Sequence, residues 1–84
     1  MGKAFNIEIL TPLKRLYSGE AVSLVVPASE GYLGVLANHA PLIAKLMPGN
    51  ITIRKDQEEP SVIASASGGL IQVLDNKVSI LLEA

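Results

Sequence analysis

Histidine is the side chain that most often acts as a general acid or base near neutral pH, and the sequence contains one, His39. An enzyme would need further reactive groups around it, but His39 lies in a turn-like segment between Asn38 and the pair Ala40-Pro41. One histidine with scattered carboxylates also lacks the ligand spacing of a metal site. The sequence therefore predicts a structural or contact role for His39, with no catalytic residue and no metal ligand.

Glycine is the second residue type whose spacing could indicate a functional site, because glycine-rich loops can bind phosphate groups. Gly31 with Gly34, and Gly68 with Gly69, adjoin strand-like segments. A phosphate loop also needs a following helix whose N-terminus holds the anion, and no window of this sequence keeps a helical period. We interpret these glycines as sites of positive φ, bulges or close backbone approach, and we predict no cofactor and no small-molecule ligand.

Lys77 raises a third possibility, since small all-β lipoyl and biotinyl carrier domains hold a modified lysine at a hairpin tip. Here Asn76 separates Asp75 from Lys77, which places the lysine at the start of a strand rather than at the apex. A type I′ turn at Asp75-Asn76 is the plainer interpretation. A carrier domain modified at Lys77 is kept as the alternative function.

Length and composition limit the class of protein. The chain of 84 residues is too short for two ordinary domains, so residues 1–84 are predicted to form one domain. Its 7 basic and 8 acidic residues form no basic stripe, which argues against a nucleic-acid partner. The lack of cysteine excludes disulfides and fits a reducing compartment such as the cytosol. No apolar run reaches the length of a signal peptide or a membrane span, so we expect no membrane insertion.

Alternation of apolar and polar residues with a period of two recurs along the chain and predicts strands with one buried face. Phe5, Ile7 and Ile9, for example, alternate with two polar residues. With turn-forming residues about every eight to twelve positions, the pattern predicts an all-β sandwich or barrel of about eight to ten short strands. Pro27 is expected to end the third strand. The predicted strands are Phe5–Ile9, Lys14–Ser18, Ala21–Val26, Tyr32–Leu36, Leu42–Met47, 51–54, Val62–Ser67, Leu70–Leu74 and Lys77–Leu82.

Large apolar residues gather in or beside the predicted turns, where a small domain has little room to bury them. This placement predicts a docking surface for another protein, although each of these side chains could instead close an end of the sandwich. The residues are Tyr32, Leu33, Leu36, Pro41, Leu42 and Ile43.

A series of short motifs occurs in one order along the chain: Phe5-Asn6-Ile7-Glu8-Ile9, Thr11-Pro12, Leu16-Tyr17-Ser18-Gly19, Val26-Pro27-Ala28-Ser29-Glu30-Gly31, Leu33-Gly34-Val35-Leu36, His39-Ala40-Pro41-Leu42, Pro48-Gly49 and Ser67-Gly68-Gly69. In order and spacing they resemble the N-terminal β-sandwich of the epsilon subunit of the F-type (rotary) ATP synthase, called delta in mitochondria. The resemblance covers essentially all 84 residues. Two positions depart from it: Tyr32 replaces a short polar or acidic residue, and Ala37 replaces proline.

The resemblance implies a flattened ten-stranded sandwich that rotates with the central stalk and is not itself an enzyme. Its partners would be the gamma subunit and the ring of c subunits, and it would couple proton or sodium translocation to ATP synthesis. By position, the turn formed by Ser29, Glu30, Gly31 and Tyr32 is similar to the loop that faces the c ring. The turn that contains Asn38, His39, Ala40, Pro41 and Leu42 is similar to another part of the same foot, at the border between gamma and the c ring.

The same resemblance carries an expectation about the end of the chain. Family members usually continue into a helical hairpin that can bind ATP and inhibit hydrolysis, and this sequence stops at Leu82-Glu83-Ala84, where that hairpin would begin. We therefore expect no C-terminal helical hairpin, no ATP binding and no hairpin-type inhibition from these residues. The expected location is peripheral, on the cytoplasmic side of the bacterial inner membrane or its organellar equivalent.

Overall fold

The computed structural model describes residues 3–65 and 67–83, which form nine β-strands and no helix. The strands are β1 (Phe5–Leu10), β2 (Arg15–Ala21), β3 (Ser23–Ala28), β4 (Gly31–Leu36), β5 (Leu42–Leu46), β6 (Gly49–Arg54), β7 (Ser61–Ser65), β8 (Gly69–Leu74) and β9 (Lys77–Leu82). The all-β prediction is confirmed. The described strands number one fewer than the ten implied by the resemblance. The predicted extension of β7 to Ser67 crosses residue 66, which lies outside the described residues.

The strands join in one curled sheet with the order β2-β1-β9-β8-β5-β3-β6-β7, and β4 pairs with the other side of β3. Five strands, β2-β1-β9-β8-β5, form one layer, and β4-β3-β6-β7 form the other. The layers connect where Ala28 of β3 pairs with Leu46 of β5. All of these pairs are antiparallel except that of β1 with β9, so the first and last strands lie side by side. Within the described residues, no helix is long and apolar enough to cross a membrane.

The core lies between the two layers and consists almost entirely of aliphatic side chains. Alternation along each strand sends every second residue inward, as in β1, where Phe5, Ile7 and Ile9 are buried and Asn6 is exposed. The described residues contain no buried polar or charged residue. The buried set is Phe5, Ile7, Ile9, Ala21, Leu24, Val26, Val35, Leu46, Ile51, Ile53, Ile71, Val73, Val78, Ile80 and Leu82.

Pro27 was expected to end the third strand, and this prediction is wrong. Strand β3 continues to Ala28, and Pro27 pairs with Tyr32 of β4. Proline lacks a backbone N–H but keeps its carbonyl, which here accepts a hydrogen bond of 2.8 Å from the N–H of Met47. On the side of β3 that faces Met47, residue 27 therefore needs only a backbone acceptor, which proline supplies.

Two tight turns close the β3–β4 and β8–β9 hairpins. Gly31, which follows the Ser29-Glu30 turn, has φ of 120°, a conformation that side chains rarely tolerate. Asp75 and Asn76 have φ of 52° and 59°. Positive φ at both central residues is what a type I′ turn requires, so the predicted turn type is confirmed.

Candidate docking site

The two turns that the sequence singles out lie at opposite ends of strand β4. We call residues 29–32 the Glu30 turn and residues 38–42 the His39 turn. Strand β4 runs from Gly31 to Leu36, and six residues of strand span about 17–20 Å. The structure therefore does not bring all the predicted site residues into one cluster. A single partner that contacts both turns would have to extend along β4.

The Glu30 turn projects an unpaired acidic side chain. Glu30 is exposed and makes no ion pair with any of the described residues. The turn itself is held in place because the N–H of Ser29 donates a hydrogen bond of 3.1 Å to the carbonyl of Lys45 in β5. A fixed backbone beneath a free carboxylate suits recognition of a positively charged partner group.

Tyr32, the last residue of this turn, presents a large exposed ring. It is 68% exposed and lies opposite Pro27 in the pairing of β3 with β4. Its hydroxyl lies 3.6 Å from the point that a Cβ at residue 49 would occupy, and Pro27 lies 3.0 Å from the same point. Gly49 therefore leaves room for Pro27 and for the Tyr32 hydroxyl at the start of β6.

A groove of about 540 Å³ runs between the Glu30 turn and β5. Its lining consists of residues 28–33 and 42–45, so it joins the Glu30 turn to Leu42, one residue of the His39 turn. Ile43, on the same wall, is 71% exposed. The groove thus combines an apolar side chain with two oppositely charged residues, Glu30 and Lys45.

The His39 turn lies at the other end of β4, against the β8–β9 turn. Asn38 has φ of 61° and donates its N–H to Oδ1 of Asn76 at 2.7 Å. Nδ1 of His39 lies 2.8 Å from the carbonyl oxygen of Ala40. Since a carbonyl can only accept, Nδ1 carries the hydrogen in this bond, and Nε2 of the neutral ring is an acceptor. The ring is therefore oriented by its own turn.

The side chains around His39 do not form a catalytic or metal-binding arrangement. His39 bonds to the adjacent backbone, and the described residues contain no group of three or more histidine and acidic side chains able to hold a metal ion. Lys77 is the first residue of β9 and pairs with Leu74, so it does not lie at the hairpin apex. This position does not favour the carrier-domain alternative.

The predicted apolar docking residues divide into two groups. Tyr32, Leu36 and Ile43 are 68%, 64% and 71% exposed, which is high for large apolar side chains. Leu33 and Leu42 instead pack against the core as half-buried residues. For these two, the interpretation that they close an end of the sandwich fits better.

The two outer faces of the sandwich differ in charge. By register and alternation, the strand residues on the outer face of β4-β3-β6-β7 include a single charged one among the described residues, Arg54. Tyr32 and Leu36 lie along the β4 edge of this face, which connects the two turns. The opposite outer face carries five charged residues: Glu8, Arg15, Glu20, Lys45 and Lys77.

A second apolar groove, of about 490 Å³, was not anticipated from the sequence. Leu70 and Leu81 form a cross-strand pair on the outer face of β8 and β9, and they are 50% and 53% exposed. Pro12 also lines this groove, and its neighbour Leu13 is 88% exposed. The alternation pattern could have indicated it, because Leu70 and Leu81 occupy positions where an exposed face usually carries polar residues.

These features define a small all-β domain, whose candidate site is a pair of fixed turns with exposed apolar side chains. One family within this class is identified by its family model: the model described as the ATP synthase, Delta/Epsilon chain, beta-sandwich domain matches residues 4–84. The chain belongs to this family, and the resemblance seen in its motifs is confirmed.

Curated relatives agree with this assignment. The chain is 51% identical over 76 residues to the ATP synthase epsilon chain of Leptospira borgpetersenii serovar Hardjo-bovis, a match that covers 90% of this chain and 58% of the relative. It is 43% identical over 81 residues to the ATP synthase epsilon chain of Dichelobacter nodosus, covering 96% of this chain and 56% of the relative. The chain therefore spans a little more than half the length of the relatives it matches.

Solved structures share the fold. A chain in the cryo-EM structure of the Euglena gracilis mitochondrial ATP synthase, OSCP/F1/c-ring, superposes with a TM-score of 0.83 at 22% identity, covering 90% of this chain and 48% of that chain. A chain in the Tetrahymena thermophila mitochondrial ATP synthase, central stalk/c-ring, gives 0.74 at 21% identity, covering 99% and 66%.

Proposed function

We propose that the chain is a non-catalytic rotor domain of an F-type ATP synthase, which docks on the gamma subunit and on the c ring. In this role it helps to couple proton or sodium translocation to ATP synthesis, at the cytoplasmic face of a bacterial inner membrane. The observation that carries the proposal is the position of two fixed, exposed turns at opposite ends of one strand in a domain of the delta/epsilon family. A rotor domain needs two attachment points on a stiff body.

The Glu30 turn is assigned to the c ring. Its free carboxylate supplies charge, and its exposed tyrosine supplies apolar area. The adjoining groove supplies a concave surface. Glu30 suits a lysine or arginine on a polar loop of the ring, and Tyr32 and Ile43 supply apolar contact area.

The His39 turn is assigned to the border with gamma. Pro41 is exposed, and Leu36, at the near end of β4, is 64% exposed. Nε2 of His39 can accept a hydrogen bond from a partner, because Nδ1 is engaged by Ala40. The nearly uncharged outer face extends from this turn and could enlarge the contact toward the ~1,600 Å² in total that stable interfaces bury.

Stiffness between the two turns comes from strand pairing. Every residue of β4 has a partner in β3, from Gly31 opposite Ala28 to Leu36 opposite Ser23. The core beneath contains Leu24, Val26 and Val35, each at most 1% exposed. Such a body transmits a displacement at one end to the other without internal rearrangement.

The direct test is to mix the chain with a purified gamma subunit and analyse the mixture by gel filtration. We expect a 1:1 complex at low and moderate salt, because the gamma-side contact is largely apolar. Failure to co-elute at either salt concentration would overturn the assignment to gamma. Replacing Leu36 with Asp should abolish the complex, whereas Val62→Asp, at a 58% exposed position on the far strand of the same face, should weaken it less.

A further inference from the structure

Asn76, in the β8–β9 turn, bonds to two segments that are distant from it in sequence, residue 38 and residues 4–6. Its side-chain Oδ1 accepts the N–H of Asn38 at 2.7 Å, across 38 residues. Its Nδ2 donates to the carbonyl of Ala4 at 3.0 Å, across 72 residues. Its backbone carbonyl accepts the N–H of Asn6 at 3.2 Å. One residue thus fixes the His39 turn to the body of the sandwich.

The chemistry of this position is specific to asparagine. Residue 76 has φ of 59°, which asparagine tolerates better than most side chains. Glycine would adopt the same φ but would offer no side-chain amide. Aspartate would keep the acceptor for Asn38 but lose the donor for Ala4. Asp75 shares the positive φ and makes no side-chain hydrogen bond or ion pair with the described residues, so it serves as an internal comparison.

The bond to Asn38 acts at the base of the His39 turn. Asn38 has a positive φ of its own, 61°, and the next residue carries the ring that bonds to Ala40. The direction of His39 Nε2 therefore depends on the backbone at Asn38, which Asn76 holds. Without that bond, the Asn76 side chain would no longer hold the backbone of the His39 turn at Asn38.

We propose that Asn76 is a positioning residue, which holds the His39 turn in the conformation that docks on the gamma subunit. This inference rests on the proposed function for the identity of the partner. The contact between Asn76 and Asn38 itself is measurable in the isolated chain. Asn76 touches the partner through no atom of its own in this scheme and acts through Asn38 and His39.

The test compares three variants of the full 84-residue chain. Asn76→Gly keeps the turn and loses both side-chain bonds, Asn76→Asp keeps the acceptor for Asn38, and Asp75→Gly alters the same turn without touching Asn38. NMR hydrogen exchange of the Asn38 amide shows whether its hydrogen bond to Asn76 is intact. Titration with gamma and with isolated c ring measures docking. Circular dichroism checks the fold of each variant.

For Asn76→Gly we expect about tenfold faster exchange at Asn38 and about tenfold weaker binding to gamma, the size of effect that one lost hydrogen bond produces. Binding to the c ring should not change, because the Glu30 turn lies at the other end of β4. Asp75→Gly should retain both the protection of Asn38 and the affinity for gamma. In Asn76→Asp a carboxylate oxygen faces the Ala4 carbonyl, so this variant should keep affinity for gamma only to the extent that it keeps the Asn38 amide protected. If Asn76→Gly does not fold, Asn76→Asp decides: the protection of the Asn38 amide and the affinity for gamma must change together, and a change in one without the other overturns the role.

Several results would overturn the role of Asn76. One is an Asn76→Gly variant with rapid exchange at Asn38 but full affinity for gamma. A second is an Asp75→Gly variant that loses as much affinity for gamma as Asn76→Gly does. A third is an Asn76→Asp variant in which the Asn38 amide stays protected from exchange but the affinity for gamma is lost. If the unaltered chain forms no complex with gamma, the proposed function itself fails, so the two failures are distinguishable.

Discussion

Gly69, the first residue of β8, packs directly against the backbone of Leu81 in β9. A Cβ at residue 69 would collide with the carbonyl oxygen of Leu81, and one at residue 68 would collide with that of Leu46. These atoms belong to the backbone and cannot rotate away. Gly68 and Gly69 are therefore explained by close approach to neighbouring backbone rather than by a phosphate loop.

Gly69→Ala should destabilise the fold by at least about 2 kcal/mol, because overpacking against backbone forces strands apart. Gly34→Ala is the matched control: a Cβ there meets no atom within 4 Å. It should change the free energy of unfolding by less than about 0.5 kcal/mol, as exposed substitutions usually do. Urea denaturation monitored by circular dichroism measures both. Equal stability of the two variants would contradict the packing described here.

Two isoleucines distinguish the core from the proposed docking surface. Ile80 is 0% exposed in β9 and Ile43 is 71% exposed in β5. Ile80→Ala should cost about 2–5 kcal/mol, because it removes buried contacts and leaves a cavity. Ile43→Ala should leave stability within about 0.5 kcal/mol of the parent chain but weaken binding to the c ring. Chemical denaturation and a binding titration on both variants test this separation.

The sequence predicts most of the fold because its strands alternate strictly and its turns carry residues of fixed conformational preference. Phe5, Ile7 and Ile9 show this for β1, and Asp75-Asn76 for the type I′ turn. Pro27 does not end β3 as its local sequence predicts, because a proline ends a strand only where a neighbouring strand needs the N–H that it lacks. That information lies in the pairing with Met47, not in the local sequence.

The candidate site was less predictable, for a related reason. The sequence marks the two turns by their composition but not their separation, which depends on the length of β4. It also gives no sign that Asn76 bonds to Asn38, since a contact across 38 residues leaves no trace in a local pattern. Asn76 could be recognised only as a residue suited to positive φ.

Replacing the acidic and the aromatic side chain of the Glu30 turn should weaken docking without unfolding the domain. The double variant Glu30→Lys with Tyr32→Asp exchanges an exposed carboxylate for a cation and removes a ring that is 68% exposed. We expect weaker binding to the c ring, unchanged binding to gamma, and a free energy of unfolding within about 1 kcal/mol of the parent chain.

The control for this double variant is Glu59→Lys, a charge reversal at an exposed residue of the 55–60 loop. It should leave binding to the c ring unchanged. If the control weakens ring binding as strongly as the double variant, net charge rather than the Glu30 turn governs the interaction. If the double variant fails to fold, the turn contributes to the core and has been misassigned.

His39 offers the sharpest distinction between a contact residue and a catalytic one. His39→Ala removes the Nε2 acceptor and the local bond from Nδ1 to Ala40. The His39 side chain is half-buried and bonds to its own turn, so stability should fall by less than about 1 kcal/mol. Binding to gamma should weaken, and His39→Gln should restore part of it, because its amide supplies an acceptor near the position of Nε2. Isothermal titration of the three chains with gamma gives the comparison. Hydrolytic activity of the purified parent chain that disappears in His39→Ala would refute the contact role and revive an enzymatic one.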